Sequence, residues 1–263
     1  MADIPTTDAL GRLVDIMARL RAPGGCPWDR EQTPESLRPY LLEETYEVLD
    51  AIERGDPAAL RDELGDLLLQ VVFHAELAAE AGRFTIRDVA HAIAEKLVRR
   101  HPHVFGDVQV RDADEVVRNW RRIKADERRA AGEDGDLFAG VPAALPALVR
   151  GQQLGEKAGH LGLDWPDAQG VLDKLREELA ELTVAAADGE RARIEHELGD
   201  LLLAATSLGR HLDVSAEMAL RAANDRFVAR VRRMEAAARE RGRTLAELAP
   251  AERDRLWESI KLG

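Results

Sequence analysis

Two pairs of carboxylates dominate the stretch from Leu175 to Leu203. Glu177-Glu178-x-x-Glu181 lies sixteen residues ahead of Glu197-x-x-Asp200, and the second pair opens the apolar run Leu201-Leu202-Leu203-Ala204-Ala205. Residues three apart share a helix face, so Glu178 with Glu181, and Glu197 with Asp200, each form a two-carboxylate edge. Gly189 and its polar neighbours supply a turn, which predicts an antiparallel helix pair on which four anionic groups converge. Mutual repulsion and lost hydration make such a cluster costly unless cations occupy it. An all-oxygen set suits Mg2+, with Mn2+ as a substitute, since these hard ions keep some waters and accept phosphate oxygens. An isolated E-x-x-E on a charged helix is an ordinary solvated face. Here the apolar surroundings of Asp200 predict a buried helix whose carboxylates cannot simply point at water, and the arrangement occurs twice.

An offset of 134 carries Glu43, Glu44, Glu47, Glu63, Leu64, Gly65, Asp66, Leu67, Leu68 and Leu69 onto Glu177, Glu178, Glu181, Glu197, Leu198, Gly199, Asp200, Leu201, Leu202 and Leu203 without a gap. Identity at all ten positions marks duplicated modules. The copies differ where Lys174 corresponds to Tyr40 and, at an offset of 130, Asn224 to Ala94; Arg226 and Arg230 match Lys96 and Arg100. The second module therefore has polar groups that the first lacks.

The elements that must position these residues read as helices throughout. Apolar residues recur at helical spacing from Asp8 to Arg21, ending at Pro23-Gly24-Gly25, and Cys26-Pro27-Trp28-Asp29 reads as a turn. Helices are predicted over Pro34 to Arg54, from Pro57 to about Ala81, Thr85 to Arg100, Ala113 to Ala131 and Ser215 to Arg241, with a short last one after Pro250 carrying Trp257 and Lys261. Strand-like alternation of useful length is absent from the sequence. The expected architecture is all-α, with two tandem helical-bundle modules: residues 1–131, a Gly- and Asp-rich linker at 132–141, and residues 142–263 as the principal catalytic module.

Composition sets the outer limits. The 263 residues are 45% hydrophobic and 33% charged, with only 4% aromatics. The net charge of -12 argues against a nucleic-acid or anionic-membrane partner. Cys26 is the lone cysteine, which excludes an intrachain disulfide, and the N-terminal residues lack a signal-peptide pattern. No run is apolar enough to span a bilayer, since Leu67 to Phe73 already includes Gln70. A cytoplasmic protein is expected.

Several tracts together resemble the MazG family of nucleoside triphosphate pyrophosphohydrolases over nearly the full length. They are Cys26-Pro27-Trp28-Asp29, the run from Leu42 to Ala51, Glu63-Leu64-Gly65-Asp66, the run from Arg99 to Phe105, and both acidic sets. The resemblance implies the all-α NTP pyrophosphatase fold, usually a homodimer, hydrolysing NTPs or dNTPs to monophosphate and pyrophosphate, with housecleaning of non-canonical nucleotides as one role. It places the catalytic Mg2+ ligands on Glu178, Glu181, Glu197 and Asp200. Nucleotide contacts fall on Lys174, Arg226, Arg230 and Trp257, with Lys124 and Asn224 as further candidates. Glu44, Glu47, Glu63 and Asp66 form a second, weaker set.

Two other classes compete. A di-metal carboxylate oxidoreductase bundle also lines a helical core with Glu, but it wants Glu-x-x-His pairs, and no Glu here has His three residues on. A non-catalytic nucleotide sensor would keep the acidic pocket for recognition alone; intact carboxylates in both modules count against it.

Overall fold

A computed structural model describes residues 6–130, 132 and 136–262. Among these the chain is all-α, and it divides into two compact units, Met1–Glu127 and Arg128–Gly263. Of the linker expected at 132–141, residues 133–135 lie outside the described residues, as does Ala131 at the predicted end of the preceding helix.

The first unit contains α1 (Thr6–Arg21), α2 (Pro27–Glu31), α3 (Arg38–Arg54), α4 (Pro57–Glu80), α5 (Ile86–Arg100), α6 (Pro102–Phe105) and the start of α7 (Ala113–Ala130). Two local expectations need correction. The segment after Cys26 is a short helix rather than a turn, because Pro27 sits in the first turn, where its missing N–H costs nothing. Arg21 closes it by donating to the carbonyls of Asp29 and Gln32. Conversely, α3 starts at Arg38, not Pro34. Thr33 and Ser36 exchange side-chain hydrogen bonds with each other's backbone N–H, at 3.2 and 2.9 Å, which holds residues 33–36 in a local turn, and Pro39 stands in the first turn of α3, where its missing N–H costs nothing.

Met17, Leu37, Val72 and Phe73 form the core that joins α1 to α4, flanked by Leu13, Leu69, Leu77 and Ile86. Arg21 locks the same pair of helices through both guanidinium arms on Glu80, at 2.7 and 2.8 Å, with its charge 5.4 Å above the Phe73 ring.

The second unit contains α8 (Ala147–Gly159), α9 (Ala168–Asp188), α10 (Arg191–His211), α11 (Ala216–Glu240) and, after a 3-10 turn at Leu245–Glu247, α12 (Pro250–Leu262). The sequence reading passes over α8 because Gly151, Gly155 and Gly159 weaken its helical signal. Packing explains these glycines. A Cβ on Gly151 would lie 2.9 Å from Oγ1 of buried Thr206 on α10, and one on Gly159 would lie 2.8 Å from Asp164 Oδ2. Met234, Ala238, Leu248 and Leu256 form the core between α11 and α12.

Each unit is organised on a helix hairpin, α3 with α4 and α9 with α10. Gly55 and Gly189 end the leading helices in the left-handed conformation, at φ 63° and 72°, which reverses the chain without a Cβ penalty. The inner stripe has the same register in both hairpins: Leu37, Glu44 and Ala51 in one, Val171, Glu178 and Ala185 in the other, seven residues apart. Of these only Glu44 is less than fully buried.

The expected all-round burial of the helix holding Asp200 is overturned. Leu198, Leu202 and Leu203 are 45%, 47% and 49% exposed, whereas the buried residues of α10 are Glu197, Ala204, Thr206 and Ser207. The reason is that α8 and α9 cover only the small and polar side of α10. On α4 Leu64 and Leu68 are likewise exposed and Gln70 is buried, but there Val72 and Phe73 are buried as well.

Candidate active site

The α9–α10 hairpin brings one carboxylate oxygen each from Glu178, Glu197 and Asp200 within 4.8 Å of one another. Glu178 and Glu197 are buried, and Asp200 is half-buried. Glu178 Oε2 is fully enclosed and has no hydrogen-bond partner. A buried carboxylate oxygen left unpaired is costly. A hard cation bound to this all-oxygen set relieves that cost, so the residues present fit Mg2+ or Mn2+. Glu181 stands apart from the three: it is exposed, on the shoulder of α9 one turn beyond Glu178.

Three basic side chains lean on this triad. Lys174 Nζ lies 2.7 Å from Glu178 Oε1 and 2.8 Å from Glu177 Oε1. Glu177, and then Glu178, hold the Lys174 ammonium above its ordinary pKa range. Arg193 Nε is 3.8 Å from Glu197, and His196 Nε2 is 3.3 Å from Asp200. All three pairs are i,i+4 along one helix, so each carboxylate has its base one turn before it.

The first unit builds the same triad from Glu44, Glu63 and Asp66, again within 4.8 Å, but solves the repulsion differently. Tyr40, Ala59 and Asp62 stand where the second unit has Lys174, Arg193 and His196. Tyr40 packs edge-on against Trp28 instead, with ring centroids 5.8 Å apart. Without those bases, burial pushes the Glu44 carboxyl up, and repulsion from Asp66 and Glu47 adds to it. Glu63 is raised by burial and then by Glu47 and Asp66. Glu47 itself is exposed and lies outside the triad.

Each unit also holds a tryptophan with cations above its ring. In the second, Arg230 lies 5.8 Å from the Trp257 centroid, and Phe227 packs on the same ring at 5.7 Å. Arg226 and Asn224 are exposed on α11. In the first, Arg100 and Lys124 lie 5.7 and 5.3 Å from the Trp120 centroid. Trp120, Ile123 and Lys124 match Trp257, Ile260 and Lys261 at an offset of 137. That shared W-x-x-I-K is legible in the sequence, but it repeats at a different offset from the acidic sets, which repeat at 134. Glu127 fixes α7 against α5 by accepting from Arg99 and Arg100, each at 2.6 Å, and Arg100 holds its carboxyl down at about 2.

Fold and site together define an all-α nucleotide pyrophosphohydrolase. Residues 32–105 match the MazG nucleotide pyrophosphohydrolase domain, and residues 165–227 match phosphoribosyl-ATP pyrophosphohydrolase. The chain is 44% identical to the nucleoside triphosphate pyrophosphohydrolase of Escherichia coli K12, over 96% of its own length and 97% of the relative's. It is also 44% identical to the nucleoside triphosphate pyrophosphohydrolase/pyrophosphatase MazG of Thermotoga maritima, over 95% of both chains. The chain belongs to the MazG family of nucleoside triphosphate pyrophosphohydrolases and is a hydrolase. Among the described residues, no helix is long and apolar enough to cross a membrane.

Proposed function

We propose that the second unit is the principal catalytic module and cleaves NTPs and dNTPs between the α- and β-phosphates, releasing monophosphate and pyrophosphate. The observation that carries this reading is the buried convergence of Glu178, Glu197 and Asp200, with Glu178 Oε2 enclosed and unpartnered. These three, with Glu181 at the rim, would hold Mg2+ or Mn2+. When bound, the metal supplies charge neutralisation for the phosphates and the leaving pyrophosphate.

The chain's own groups account for the remaining needs. Water attacks Pα, the bridging P–O bond to the β-phosphate breaks, and pyrophosphate carries that oxygen away. Glu178 or Glu181 orients the water and accepts its proton. Lys174, Arg226 and Arg230 bind the charged phosphate oxygens, and Asn224 adds a polar contact; Lys124, over the Trp120 ring, belongs to the first unit. Trp257 stacks on the base, a contact that tolerates every base and therefore suits a broad substrate range that includes non-canonical nucleotides. The first unit, with Glu44, Glu47, Glu63 and Asp66, is a weak or regulatory site. The lone thiol of Cys26 fits a reducing cytoplasmic setting.

The test is product identity. Incubated with Mg2+ and mixed NTPs, the protein should release pyrophosphate; orthophosphate as the sole product would mean attack at the terminal phosphate and would refute the reading.

Assembly as a homodimer belongs to the same proposal. The outward leucines of α10, Leu198, Leu202 and Leu203, and their counterparts Leu64 and Leu68 on α4, are each 37% to 49% exposed. A second copy covering such a face would bury a stripe of large apolar side chains. Leu202→Glu should shift the light-scattering mass from two chains to one, and an unshifted mass would exclude this face from the contact.

A further inference from the structure

In the proposed site every triad carboxylate is met by a base from its own helix, yet only one of those bases engages a carboxylate that is both buried and half-satisfied. Lys174 occupies Glu178 Oε1 at 2.7 Å, the Glu178 side chain is 5% exposed, and its other oxygen is unpartnered. Lysine is a compact charge on a flexible four-carbon stem, able to change partner without moving its helix. A divalent cation on the triad would sit within a few ångströms of that ammonium, and two cations so close to one carboxylate repel each other.

We propose that Lys174 is a displaceable counter-ion, which neutralises Glu178 while the triad holds no metal and is released by the incoming cation to take a phosphate oxygen of the substrate. Binding is then ordered, because the cation frees the lysine that the triphosphate uses. The first unit provides an internal comparison. Its triad has Tyr40 in place of Lys174, so a cation there has no ammonium to displace. The inference rests on the proposed metal-dependent reading of the second unit and deepens it.

The experiment reads cation binding separately from turnover. In the full chain carrying Glu63→Gln and Asp66→Asn, which silence the first triad, Mn2+ affinity is measured by calorimetry without nucleotide, with lysine or methionine at position 174. Lys174→Met should bind Mn2+ about tenfold more tightly, since one nearby positive charge is gone. With Mn2+ saturating, the same variant should bind an α,β-methylene triphosphate analogue about tenfold more weakly, through loss of one charge-assisted contact. Reciprocally, Tyr40→Lys in a chain with Glu197→Gln and Asp200→Asn should weaken Mn2+ binding at the first triad about tenfold. Mn2+ affinity unchanged or lowered by Lys174→Met would overturn the inference while leaving pyrophosphate release, and the functional reading, intact. Absence of Mn2+ binding to the chain that retains Lys174 would overturn both.

Discussion

Glu197→Gln is expected to lower pyrophosphate release about a thousandfold, whereas Glu63→Gln lowers it by less than about threefold. The substitution keeps the side chain's shape and removes only its charge, so the fold should survive; a triad relieved of one buried anion is under less repulsion. The large loss follows from position. Glu197 is buried and shares the site with Glu178 and Asp200, so no water or neighbouring carboxylate can replace it. Glu63 occupies the matching place in a unit whose triad lacks the lysine that faces Glu178. Removing a metal-binding carboxylate forfeits several kcal/mol of charge stabilisation in the transition state, and each 1.4 kcal/mol is about a factor of ten in rate. Initial rates for both variants at saturating Mg2+, with circular dichroism as the folding control, decide the matter. Equal losses in the two would rule out the assignment of catalysis to the second unit.

That asymmetry was only half visible in the sequence. The helical hairpins and their facing carboxylates follow from spacing, because a glycine in the left-handed conformation and a three-residue period leave few alternatives. The exact face was harder to read. Glu178 and Glu181 share a helix side, but the inner stripe of α9 runs through Val171, Glu178 and Ala185 at a seven-residue step, and so narrow a stripe leaves Glu181 on the exposed shoulder. The leucines after Asp200 mark a buried helix only if its apolar side faces inward. In α10 the inward side is Glu197, Ala204, Thr206 and Ser207, a consequence of how α8 approaches through its glycines. Resemblance implies a phosphate ligand at Lys174, and its grip on Glu178 is a tertiary fact that the side chain's length permits but does not dictate.

The approach of α8 also depends on a charge cluster that carries no catalytic role, and its removal should have the largest effect on stability. Asp164, in the connection after α8, accepts from Arg210 Nη1 and Nη2 at 2.7 and 2.5 Å, from His211 Nε2 at 3.1 Å and from the Trp165 N–H at 2.9 Å. Arg210, and then His211, hold its carboxyl down at about 2 against the carboxyl's own partial burial. Asp164 and Arg210 side chains are only 20% and 21% exposed, so solvent screens the pair little. A folded pKa of about 2 lies below the ordinary aspartate value, which the unfolded chain retains. The contribution is therefore fully present above about pH 4 and disappears as pH falls toward 2. From that shift, Asp164→Asn should cost the second unit about 2 kcal/mol at neutral pH. It should also weaken the acid limb of the unfolding profile between about pH 4 and 2, since the proton uptake that drives it there is gone. Hydrogen exchange in α8 and α10 is the suitable measure, because it reports the second unit alone and the effect should be confined to it. Unchanged protection there, together with an unaltered acid limb, would mean that the glycine-mediated packing of α8 on α10 holds without the ion pair.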